Sequence, residues 1–136
     1  MKTFLIALLL FVSIPAARAE LLVVGHLKSN IENLTAKQVQ DIYLGRVRVL
    51  PNGKFALPID QPSPLRAEFY EKLTGRSVEQ INAYWARIIF TGQASPPQQL
   101  PSDDVVMQTV RENEGAIGYI NKTSVDKTVR ILLQLD

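Results

Sequence analysis

The chain has 136 residues, no cysteine and one histidine, with 15 Lys and Arg against 13 Asp and Glu for a formal net charge of +2. Without cysteine there is no disulfide scaffold and no lipid-bearing cysteine, so stability must come from a packed core. So even a charge balance gives no basic field of the kind nucleic-acid binding relies on, and no basic amphipathic helix suggests a membrane-surface role.

Residues 1–19 read as a secretory signal peptide. Lys2 supplies the positive charge, Phe4 to Val12 is an unbroken apolar run, and Ala17-Arg18-Ala19 fits the small-x-small cleavage pattern. The run falls well short of the roughly 20 apolar residues of a spanning helix. Cleavage after Ala19 implies export and starts the working chain at Glu20. Lys2 and Arg18 leave with the signal, so 13 basic residues then face 13 acidic ones. Residues 20–136 suit one domain around one core.

Leu21 to Val24 is a short continuous apolar run, expected as a buried strand. Thr35 is a good N-cap for a helix over 36–44, with Val39, Ile42 and Tyr43 at helical spacing and Gly45 as its stop. Pro51-Asn52-Gly53 is a turn signal. Phe55 to Ile59 reads as a strand, and Pro58 inside it points to an edge or an early end. Ser63-Pro64 opens the next helix, serine as cap and proline in the first turn, with Leu65, Phe69 and Leu73 on one face and Gly75 at the end. Ser77 and Gln80 fit a capping box. The helix that follows carries a stripe of Ile81, Trp85, Ile88 and Ile89 and stops at Gly92. After a proline-rich loop, Ser102-Asp103-Asp104 starts a helix with acids where its dipole favours them, burying Val105, Val106, Thr109 and Val110. Residues 116–120 and 129–135 read as strands. Four strands and four helices predict a compact α/β domain with a mixed sheet.

Enzyme chemistry has little support. There is no G-x-S-x-G elbow, P-loop, dinucleotide fingerprint or metal-ligand spacing, and no serine or acid is placed with His26 by motif. No catalytic residue, metal or cofactor is expected. Arg46 and Arg48 alternate on one face of an extended segment, either facing an anion or solvated.

Several segments fall in a telling order: Leu34-Thr35 with Asp41-Ile42-Tyr43-Leu44-Gly45; Pro51-Asn52-Gly53; Pro58-Ile59-Asp60; Arg66-Ala67-Glu68-Phe69; Tyr84-Trp85 with Phe90-Thr91-Gly92; and Gly115-Ala116-Ile117-Gly118-Tyr119. In this order the chain resembles the phosphate-binding proteins of ABC transporters, over nearly all of residues 20–136. The resemblance implies a single lobe of the type II periplasmic binding protein fold, a mixed sheet flanked by helices. The family's Ser-Gly-Thr anion loop corresponds here to Ser63-Pro64-Leu65.

The resemblance implies a periplasmic solute-binding domain for phosphate or a related oxyanion, serving ABC-type transport. Ser63 lies at a helix N-terminus, where free amides and the dipole favour an anion; the other reading makes it only a cap. Arg66, one turn in, either folds back as a cationic partner in bidentate geometry or is solvated. Asp60 follows a strand, where α/β ligand crevices form. It is either an acceptor for a protonated oxyanion or a turn residue, and Gln61 offers an amide to the same ligand. The implied partners are the anion, an inner-membrane ABC permease or sensor, and no nucleic acid. A homodimer is one way to complete a half-cleft. The alternative is a protein-interaction or sensory module whose anion site has decayed.

Overall fold

The computed structural model describes residues 9–12 and 20–136. The expected signal-peptide cleavage pattern at Ala17–Ala19 lies outside the described residues. No helix among the described residues is long and apolar enough to cross a membrane.

Five strands form one sheet: β1 (Leu21–Gly25), β2 (Leu57–Asp60), β3 (Gln98–Gln99), β4 (Ala116–Asn121) and β5 (Arg130–Leu135), in the order β3-β2-β4-β1-β5. β1 pairs antiparallel with both β4 and β5, with Val23 opposite Tyr119 and Leu133. β2 runs parallel to β4 and to β3. Strand side chains alternate between faces, and both faces of β1 are covered. Leu21 and Val23 join one core and Leu22 and Val24 the other. That double burial is why the sequence shows an unbroken apolar run rather than an alternation.

Four helices cover the sheet: α1 (Ala36–Tyr43), α2 (Leu65–Thr74), α3 (Val78–Thr91) and α4 (Asp103–Glu112). The larger core holds side chains of α1, α2 and α3; the smaller one holds α4. The capping box of Ser77 with Gln80 forms as predicted, and Thr35, expected as an N-cap, forms a second box with Gln38. Ser102 caps α4 by accepting from the Val105 amide. Gly75 and Gly92 end α2 and α3 in the left-handed conformation, φ 72° and 69°, which favours glycine.

Gly118 sits under α4, where a Cβ would stand 2.5 Å from Val106 Cγ1. A Cβ on Gly115 would collide with the Phe55 carbonyl oxygen. Close approach therefore dictates both glycines of the Gly-Ala-Ile-Gly-Tyr segment.

Several expectations need correction. Ser63 does not cap α2: Pro64 is the N-cap, no side chain bonds to the helix start, and the Ser63–Pro64 peptide is cis. The second strand starts at Leu57 rather than Phe55, which is 82% exposed and bridges to Val49. β2 is not an edge strand, because β3 flanks it. Pro58 is tolerated because the Leu57 amide faces β4, bonding Gly115 O at 2.8 Å. By alternation the proline nitrogen then faces away from β4, where β3 pairs only with Ile59 and Asp60. The fifth strand, β3, lies in the proline-rich loop. The α3 stripe is narrower than its spacing suggests: Ile81 and Trp85 are buried, whereas Ile89 is 55% exposed. On α4, Met107 is buried with Val106 and Val110, while Val105 and Thr109 are half-buried.

Candidate functional site

β2 and β4 run parallel and end at Asp60 and Asn121, and the starts of α2 and α4 lie beside these ends. Carboxyl ends of parallel strands are where open α/β sheets place ligands. A crevice of about 620 Å³ opens there, lined by Gln61, Pro64, Leu65, Glu68, Ser102, Asp103, Asp104, Asn121 and Ser124.

Of the four predicted residues Gln61 lines this crevice, and the other three have different surroundings. Ser63 is exposed. Asp60 and Gln61 are buried at 2% and 4% exposure. The Asp60 carboxylate has four donor residues. Arg66 Nε lies 3.1 Å and the Tyr70 hydroxyl 3.0 Å from Oδ2. The Gln61 amide lies 2.9 Å from Oδ1, and the Tyr119 hydroxyl donates to the same oxygen. Arg66 does fold back, but onto the protein: its Nη1 bonds Asn82 Oδ1 at 2.7 Å, and its guanidinium lies 5.2 Å from the Tyr70 ring centre. Gln61 Nε2 donates to Asp103 Oδ1 and to the Tyr119 carbonyl, each at 2.8 Å.

The aromatic floor explains how these donors are held. Phe69 and Tyr119 stack with ring centres 3.8 Å apart, and Tyr43 and Tyr70 meet Phe69 edge-on. The Tyr43 hydroxyl reaches the carbonyl oxygens of Ile59 at 2.8 Å and Ile117 at 3.1 Å, tying β2 to β4. Burial pushes the Tyr70 and Tyr119 hydroxyls far above the usual phenol range, and the Asp60 charge adds to it. Both therefore stay protonated and remain donors.

Asp103 forms a second cluster. Burial alone would raise its pKa, but hydrogen bonds from Ser124, Gln61 and Asn121 outweigh it and hold the carboxyl below its ordinary value. It was expected only as a helix-start acid; its side chain also joins α4 to Gln61, just after β2, and to Asn121 at the end of β4. With Glu68 and Asp104 it gives the crevice an acidic lining.

The other candidates have protein partners. His26 accepts from the Lys28 amide at Nδ1, so Nε2 donates to the Arg111 carbonyl, 3.1 Å away. Arg46 pairs with Asp41 at 3.6 Å, and Arg48 Nη2 bonds the Gln93 carbonyl at 2.5 Å. No group of three or more His, Asp or Glu among the described residues is placed to hold a metal ion. Sequence reasoning missed Tyr70, Asn82 and Tyr119. The available signal was a tyrosine in each of two apolar segments, since a buried phenol needs a partner for its hydroxyl.

A scan against protein-family models and a search of curated proteins find no match. Solved structures do match. An ABC-type phosphate transport receptor from Vibrio cholerae shares 22% identity with a TM-score of 0.66, over 84% of this chain and 45% of that one. A putative phosphate ABC transporter substrate-binding protein from Clostridium perfringens, solved with bound phosphate, gives 22%, 0.65, 84% and 44%. PstS from Borrelia burgdorferi gives 18%, 0.59, 84% and 46%. The chain thus has the α/β fold of part of these receptors, and it spans less than half the length of each.

Proposed function

We propose that this chain is a solute-binding domain for phosphate or a related oxyanion, contributing one half of a two-part cleft. The observation that carries the reading is the bare start of α2. First-turn amides have no intrahelical acceptor, the N-cap residue Pro64 gives them no side-chain bond, and Ser63, next to it in the chain, is exposed and does not cap the helix. Ser63 and these amides are the anion's direct donors. Arg66 adds its remaining Nη protons, with Asp60 fixing its position and Gln61 shaping the crevice wall. The fold shared with phosphate receptors supports the same ligand class.

The acidic lining sets the limits of binding. Glu68, Asp103 and Asp104 disfavour a multiply charged anion in an open half-cleft. Binding to this chain alone is therefore weak, and a facing surface, from another protein or a second copy, completes the site. The apolar run and cleavage pattern of residues 1–19 support export to the periplasm, where an ABC permease is the membrane partner.

Isothermal titration of residues 20–136 with phosphate, and with sulfate as control, tests the reading. A saturable phosphate signal with Kd of about 1 mM or tighter, worth about −4 kcal/mol, is expected, weakened several-fold by Ser63→Ala. No heat with either anion from a folded sample would overturn it.

A further inference from the structure

Asp60 is bound more completely than an ordinary ion pair requires. An ionised carboxylate offers about four lone-pair positions, and here four residues use them. Oδ1 accepts from the Gln61 amide and the Tyr119 hydroxyl; Oδ2 accepts from Arg66 Nε and the Tyr70 hydroxyl. The donors come from the end of β2, from β4 and from one face of α2. Arg66 and Tyr70 stand four residues apart and share that face. A guanidinium, two phenols and a backbone amide are a donor set that suits a free oxyanion.

We propose that these four groups form an oxyanion receptor shaped for a small carboxylate, and that the Asp60 side chain is its tethered occupant. The donors around Asp60 are then held in a liganded arrangement by the chain itself, with no solute needed. Solute in the crevice meets the start of α2 at Pro64 and Leu65, while the Nε of Arg66 stays committed to Asp60. The inference is independent of whether the crevice binds phosphate, because its test needs no crevice ligand.

Asp60→Gly deletes a side chain that, with one added hydrogen, is acetate; Asp60→Ala leaves room nearer to formate. In sodium acetate, Asp60→Gly is expected to show a saturable rise in unfolding temperature over sodium chloride of equal ionic strength. Wild type should show none, and adding Arg66→Ala to Asp60→Gly should remove the effect. If Asp60→Gly does not fold in chloride, the readout is refolding in acetate, with Asp60→Ala in formate as the second pair. Recovery of the fold by the matching anion supports the receptor. A folded variant indifferent to its matching anion, or no recovery with either pair, overturns it. Acetate rescue together with a silent phosphate titration of wild type would sink the crevice reading and leave this one standing.

Discussion

Arg66 bears on both stability and binding. Its guanidinium is the cation nearest the buried Asp60 carboxylate, 3.1 Å away, with side-chain exposures of 12% and 2%. Removing one member of a buried pair strands the other charge, which typically costs 3–5 kcal/mol. Two phenols and an amide still hold Asp60, so Arg66→Ala is expected at the low end, about 3 kcal/mol, read from urea unfolding. Arg66→Lys should recover little of this, because an ammonium lacks the planar fork that reaches Asp60 and Asn82 together. A loss below about 0.5 kcal/mol, the range of ordinary surface changes, would mean that Asp60 does not depend on this cation.

At the scale of elements, Ser63 and Ser77 precede consecutive helices but have different structural roles. Ser77 accepts from the Gln80 amide at 3.2 Å, and Gln80 returns a bond to the Ser77 amide at 3.0 Å. Ser63 caps nothing. Ser77→Ala should therefore cost about 1 kcal/mol, while Ser63→Ala should change stability by less than about 0.5 kcal/mol. Thermal or urea midpoints of the two variants decide it, and equal losses would restore Ser63 as a cap. The contrast also shows what a sequence reveals. The Thr35 cap and the Ser77 box with Gln80 were legible because such bonds close within four residues. The α2 start was misread by one residue, since Pro64 takes the cap position itself. β3 has no apolar signature and exists through its pairing with Ile59 and Asp60. The Asp60 coordination was invisible for a related reason: Tyr119 is 59 residues away, and only the parallel pairing of β2 with β4 brings it near. The continuous apolar run of β1 and the glycines of residues 115–119 were readable, but the packing reason for the glycines needed Val106 and Phe55 in place.

Taken as a whole, the molecule joins its larger helical layer to the sheet through Tyr43, Tyr70 and Tyr119, and this makes its stability sensitive to base. Burial raises all three phenols above their ordinary value of 10.0, with the Asp60 charge as the second cause. In the unfolded chain they ionise near that ordinary value; in the folded chain they hold their protons. The stabilising contribution is thus fully present below pH 10 and is lost as pH rises above it, because the unfolded state then binds fewer protons. With three such groups the slope approaches about 4 kcal/mol per pH unit. A domain with about 5–15 kcal/mol in hand should then unfold within a few pH units. Tyrosinate absorbance from these three should appear together with loss of the far-ultraviolet helix signal, as one cooperative step. Tyr43→Phe removes one of the protons without touching the Asp60 donors, so its slope should fall to about two thirds. Ionisation of all three while the helix signal persists would mean that the layer tolerates phenolates, and that the tyrosine floor does not hold α2 and the sheet together as described.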